Sequence, residues 1–207
     1  LKPGYNVQIA VNSEYITGVA AFQNRTDSGT LRPFLRRLEQ RHGKRYRDVV
    51  ADAGYESPDN YLYLEGNGQT SFIKPINYGA QKSRKFKKQI GRRENMRYDE
   101  EENCYLCAAG RKLVFRREST QRNRQGHFPT TAYYRCESCV GCPCREVCCK
   151  AKDDKPKELK VKTDLLRLSS RSQQNITGEQ GLVLRVNRSI QVEGAFGVLN
   201  LQCKCNE

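Results

Sequence analysis

The sequence predicts an α/β fold interrupted by a basic, cysteine-rich insertion, and three observations carry the prediction. Strand-period and helix-period segments alternate over residues 1–75. The alternation stops near residue 80, where Lys82, Arg84, Lys85, Lys87, Lys88, Arg92 and Arg93 crowd a stretch with few apolar residues. An apolar-periodic stretch then returns at 178–200.

The elements follow in order. Tyr5, Val7, Ile9 and Val11 alternate with polar residues, as in a half-buried strand. Residues 15–22 form a second strand after a Ser13-Glu14 turn, which makes a hairpin. Leu31, Phe34, Leu35 and Leu38 have the spacing of one helix face, and Gly43 stops that helix. Asp48-Val49-Val50-Ala51 is a short apolar strand, residues 59–66 are helical, and Ser71-Phe72-Ile73 is another strand. Residues 1–75 therefore read as β-β-α-β-α-β, a mixed α/β layer. Residues 151–163 read as a charged linker, and Thr177-x-x-Gln180 has the form of a capping box opening a long helix. The organisation expected is a first core segment, 1–80, an insertion with its linker, 81–163, and a return segment, 164–207.

The 37 Lys and Arg against 23 Asp and Glu give a formal charge of +14. Residues 66–125 hold 15 basic and 6 acidic side chains, whereas residues 1–65 hold 9 and 8. The excess thus sits beside the α/β layer rather than in it, as either a polyanion-binding surface or a solvated face. No apolar run approaches the roughly 18 residues of a membrane span, and residues 1–20 show no leader pattern. A cytoplasmic chain without membrane contact is expected, and in that compartment the 10 cysteines point to metal ligands before disulfides.

Asp52 ends a short strand, where α/β sheets open onto their ligands; the plainer role is that of an Asp starting the next turn. On a helix, Glu193 projects near Val186 and Ile190, from an apolar stripe. A carboxylate on a packed face needs a partner, either a cation or an arginine such as Arg188 or Arg185. Cys104-x-x-Cys107 and Cys136-x-x-Cys139 are two knuckles of the kind that hold Zn²⁺, followed at once by Cys142, Cys144, Cys148 and Cys149. Their separation exceeds the usual about 15–20 residues, and there are more thiols than one ion needs. Cys107, Cys136, Cys139 and Cys142 are one candidate set, and small buried side chains are the alternative. His42 and His127 read as surface residues, and Cys203 and Cys205 carry no assignment.

Four stretches together resemble the DDE transposases of bacterial insertion sequences, in the RNase H-like superfamily, within a branch that carries a cysteine-bearing insertion. They are Gly4-Tyr-Asn-Val-Gln-Ile-Ala-Val11, Ala51-Asp52-Ala-Gly-Tyr55, Tyr134-x-Cys136-x-x-Cys139-x-x-Cys142 with Cys148, and Arg188-x4-Glu193-Gly-Ala-Phe-Gly-Val-Leu199. The resemblance implies an RNase H-like mixed sheet with Asp52 and Glu193 as catalytic carboxylates holding Mg²⁺ or Mn²⁺. It further implies strand cleavage and transfer on double-stranded DNA, at element ends and target, by a homodimer. Lys85, Lys87, Lys88, Arg92 and Arg93 would contact DNA, and Arg188 would meet a phosphate.

The chain departs from the family pattern at three places. The first Asp belongs on a strand upstream of Gly4, and Asn12, at the end of the first strand here, is a poor ligand for a hard cation. Arg185 and Asn200 occupy the positions of the signature Tyr and Lys. The helix read over 178–200 is followed by a polar tail, Gln202-Cys-Lys-Cys-Asn, that does not continue it. A truncated chain with little or no cleavage activity is therefore expected. The alternative is a non-catalytic, zinc-containing nucleic-acid-binding protein.

Overall fold

The computed structural model describes residues 5–122, 126, 128–151 and 155–204, with side chains described as far as residue 197. Gly4, His127 and Cys205, and the side chains of Asn200 and Cys203, lie outside the described residues. The chain divides into two compact units, one of Leu1–Ile76 with Leu168–Glu207 and one of Asn77–Arg167.

In the first unit, β1 (Asn6–Asn12) and β2 (Tyr15–Phe22) form the expected antiparallel hairpin, with Asn12 opposite Tyr15. Ser13 and Glu14 both take positive φ, 49° and 71°, as a two-residue hairpin turn requires. Next, α1 (Leu31–His42) buries Leu31, Phe34 and Leu38 and ends at Gly43, whose φ of 64° suits glycine. Gly18 on β2 allows this packing, because a β-carbon there would stand 2.3 Å from Leu38 Cδ2. The segments β3 (Asp48–Ala51), α2 (Pro58–Gly66) and β4 (Thr70–Ile73) make a crossover unit, with β3 and β4 parallel and α2 capped by Ser57.

The α/β class holds, but among the described residues the four strands pair as β1-β2 and β3-β4 rather than as one continuous sheet. A cavity of about 960 Å³ separates the pairs. Residues 6–12 of β1 and 48–51 of β3 line it, so those two strands face each other across it.

The second unit is more regular than its composition suggests. It comprises α3 (Arg84–Lys87), β5 (Arg97–Asp99), β6 (Cys104–Leu106), β7 (Lys112–Thr120), β8 (Thr130–Cys136), α4 (Arg145–Cys148) and β9 (Glu158–Lys162). The five strands form an antiparallel sheet in sequence order. Its core replaces aliphatic bulk with tyrosine and cysteine: Tyr105 and Tyr134 meet edge to face at 4.9 Å, beside Leu113, Leu159, Val161, Cys136 and Cys139. Part of the segment read as a linker is β9, where Leu159 and Val161 turn inward and Glu158, Lys160 and Lys162 turn out.

Two helices follow, α5 (Thr163–Thr177) and α6 (Glu179–Lys204). On α5, fully buried Ser172 covers the free edge of β4: its Oγ accepts from Ile73 N at 2.9 Å and lies 2.9 Å from Ile73 O. Two expectations fail here. The Thr177 hydroxyl donates backward to the carbonyls of Gln173 and Gln174, closing α5 instead of capping α6. The helix expected over 178–200 is α6, and it runs on through Lys204 into the residues read as a tail.

Candidate active site and cysteine cluster

The backbone leaves β3 at Asp52 and turns through Ala53–Tyr55, with Tyr55 N bonded to Asp52 O at 3.1 Å. The Asp52 side chain makes no cap to this turn. Its Oδ2 accepts instead from Arg188 Nη2 on α6, at 2.5 Å across 136 residues of sequence. Asp52 is 57% exposed in this pair and Arg188 27%, so the carboxylate is open to solvent while the guanidinium is sheltered. Both residues line the cavity between β1 and β3, with Asn187, Gln191 and Phe196 of α6.

A second carboxylate stands beside them. Asp27 Oδ1 accepts from Asn6 Nδ2 at 2.8 Å and from Gln8 Nε2 at 3.2 Å. Gly54 makes room for this group, since a β-carbon there would fall 2.9 Å from Asp27 Oδ2. Tyr55 completes the network by donating its hydroxyl to Gln8 Oε1. Burial, then the nearby Asp27 charge, push the Tyr55 phenol above its ordinary range, which keeps it a donor. Sequence reasoning passed over Asp27 because Asp27-Ser28-Gly29 reads as helix-start chemistry. The only sign of another role was its setting in a polar stretch before α1.

Glu193 is placed differently. Five residues along a helix amount to a rotation of about 140°, so Glu193 points well away from the side of α6 that offers Arg188 to Asp52. It accepts from Ser189 Oγ at 2.9 Å and is exposed. The apolar stripe beside it is also open, with Val186 58% and Ile190 67% exposed, so this carboxylate carries no burial cost. Arg185 donates to Ile176 O. The structure therefore gathers Asp52, Asp27, Tyr55 and Arg188, and it leaves Glu193 outside the group that lines the cavity.

The basic cluster surrounds α3, which Phe86 anchors inward. Lys85, Lys87 and Lys88 are exposed. Arg92 stacks over the Phe86 ring at 4.7 Å and donates to Gln89, while Arg93 lies 3.8 Å from Glu94.

Cys104 begins β6 and Cys107 follows its last residue, Leu106. Cys104 is fully buried on β6, where burial raises its thiol pKa and Asp99 and Glu102 are its nearest acidic influences. Burial likewise raises the Cys148 thiol, against the lowering effect of Lys157. The Cys136 thiol is pushed up to about 11, by burial first and then by Cys139. Cys136, Cys139 and Cys148 are buried in one cluster, with Cys107 and Cys144 packed against it, while half-buried Cys142 bonds through its amide to Cys139 O. Lys157 N–H also donates to Cys139 Sγ at 3.3 Å.

The donor chemistry suits the expected ions, carboxylates for hard cations and thiols for zinc. Among the described residues, however, no group of three or more His, Cys, Asp or Glu side chains is set to hold a metal ion. No helix among them is long and apolar enough to cross a membrane.

Residues 106–207 match the family described as transposase DDE domain. That segment contains β7, β8, β9, α5 and α6, and it includes Arg188 and Glu193 but not Asp52. No curated protein and no solved structure matches the chain.

Proposed function

We propose, from the premise that this chain belongs through residues 106–207 to the transposases with a DDE domain, that it is the DNA-cutting part of an insertion-sequence transposase. In this reading it cleaves and transfers DNA strands at element ends and target with Mg²⁺ or Mn²⁺, as one half of a homodimer. The observation that carries the reading is the contact of Asp52 with Arg188. A strand-end carboxylate, exposed enough to take a cation, meets the helix of the matched segment at the mouth of a cavity.

Asp52 and Glu193 would hold the divalent ion. The bound ion would supply Lewis-acid activation of the attacking oxygen and charge stabilisation at the leaving one. The chain's own residues supply the rest. Arg188 neutralises Asp52 in the absence of a cation, and beside a phosphodiester it offers two parallel N–H donors. The Asp27–Gln8–Tyr55 network fixes the turn that aims Asp52. Cys107, Cys136, Cys139 and Cys148 are the thiols that would take a structural Zn²⁺, with the Lys157 amide donating to one of the sulfurs. In this reading Cys148 is preferred to Cys142 because it is buried in one cluster with Cys136 and Cys139.

The alternative is a zinc-containing nucleic-acid-binding protein without catalysis. It is favoured by one observation, that Asp52 and Glu193 bond to Arg188 and Ser189 rather than converging. Mn²⁺-dependent nicking of supercoiled DNA separates the two. Nicking that Asp52→Ala abolishes supports the transposase reading. DNA binding with nicking indifferent to Asp52→Ala supports the alternative.

A further inference from the structure

The outward face of the sheet in the second unit has a composition that no structural task explains. In the register of β7, β8 and β9, Arg117 stands opposite Tyr133 and Tyr133 opposite Lys160, so the three make one row across the strands. Arg117 lies 4.0 Å from the centre of the Tyr133 ring, and the Lys160 ammonium lies 5.8 Å from it. Between Phe115 and Arg117 the register shifts by one residue. This bulge places Arg116 and Arg117, neighbours in sequence, both in solvent. Arg135 continues the face beside Glu158 at 3.7 Å. The result is a cleft of about 550 Å³ whose charged lining is Arg116, Arg117, Arg135, Lys160 and one acid, Glu158.

Cations fixed on a sheet differ from cations on a tail. Strands lie about 4.8 Å apart and alternate residues about 6.8 Å apart, so the charges form a grid whose positions the backbone sets in advance. Little side-chain freedom remains to be lost on binding, because Tyr133 already orients its two neighbours. The grid faces outward, while Leu159, Val161, Ala132 and Tyr134 hold the opposite side in the core. An exposed excess of guanidinium groups flanking an aromatic ring matches a phosphodiester backbone in charge and in hydrogen-bond geometry.

We infer that the outer face of β7–β8–β9, centred on Arg117, Tyr133 and Lys160, holds DNA by its phosphates. This inference rests on the transposase reading for the choice of DNA, and it moves the principal grip from the segment around α3 to the sheet. Around α3, Arg92 and Arg93 already contact Phe86, Gln89 and Glu94.

The test is binding of a fluorescently labelled DNA duplex by the full chain, followed by anisotropy over a salt series. The double substitution Arg117→Gln, Lys160→Gln removes two charges, so the slope of log K against log salt should become shallower by about 2. Affinity at low salt should fall by about tenfold or more. Arg117→Lys keeps the charge and should keep the salt slope. Thermal unfolding of each variant, unchanged for these exposed positions, separates lost binding from lost structure. Wild-type affinity and slope in the double variant, with the loss appearing instead in Lys85→Gln, Lys87→Gln, Lys88→Gln, would overturn the inference and leave the transposase reading standing. No binding by the unaltered chain would overturn both, and a preference for RNA over DNA would overturn the choice of partner.

Discussion

Arg188 on α6 donates to Asp52 at the end of β3, with 2.5 Å between Nη2 and Oδ2. In the proposed site a divalent ion would bind Asp52, so guanidinium and ion would compete for one carboxylate. The pair is partly exposed, which limits its own worth to about 1 kcal/mol or less. Arg188→Gln should therefore change unfolding stability by no more than about 1 kcal/mol, while tightening Mn²⁺ binding by up to roughly fivefold. Urea denaturation and a Mn²⁺ titration check the two halves. Weaker Mn²⁺ binding in this variant would show that Arg188 does not compete with the ion.

Ser172 contributes to the fold rather than to the chemistry. Its hydroxyl is fully buried and is the hydrogen-bond partner of the Ile73 amide on the free edge of β4. Ser172→Ala leaves that buried N–H without its acceptor, at a cost of about 1–3 kcal/mol. The urea midpoint should fall with an unchanged slope. A variant as stable as the unaltered chain would mean that solvent replaces the bond and that the β4 edge is less tightly covered.

The thiols give a pH dependence whose sign can be worked out. The folded Cys136 thiol sits at about 11, above its ordinary value of 9.0, because burial and Cys139 disfavour the thiolate. A group raised in the folded state stabilises below its unfolded pKa and loses that contribution as pH rises through the folded one. The metal-free, reduced protein should lose stability between about pH 9 and 11. Cys136→Ser, which does not titrate there, should lose less over the same range. Chemical denaturation at three pH values in that window reads the difference, and parallel loss in both proteins would remove Cys136 as its source.

Much of the first unit was legible because its signals are local. Alternation marks β1, the i, i+3, i+4, i+7 spacing marks α1, and the helix read over 59–66 is α2 but for its first residue. The sheet of the second unit was hidden by its composition. Tyrosines and cysteines fill its core, so a search for aliphatic periodicity passed over it, and the outward charges of β9 read as a linker. The site was half legible. Asp52 announces itself by ending a strand, but its partner lies 136 residues on, where no local pattern reaches. Glu193 was expected on a packed face that is in fact open. Cys148 lies on a short helix and in the buried cluster with Cys136 and Cys139, a placement that sequence spacing alone does not reveal.

The central claim is that Asp52 belongs to a divalent-metal site shared with Glu193. The most direct measurement is the anomalous diffraction signal of Mn²⁺ in crystals of the chain. The expected result is an ion on the Asp52 carboxylate, with Arg188 released and Glu193 drawn into the coordination sphere. An intact Arg188–Asp52 pair at saturating Mn²⁺, with no ion on either carboxylate, would contradict it.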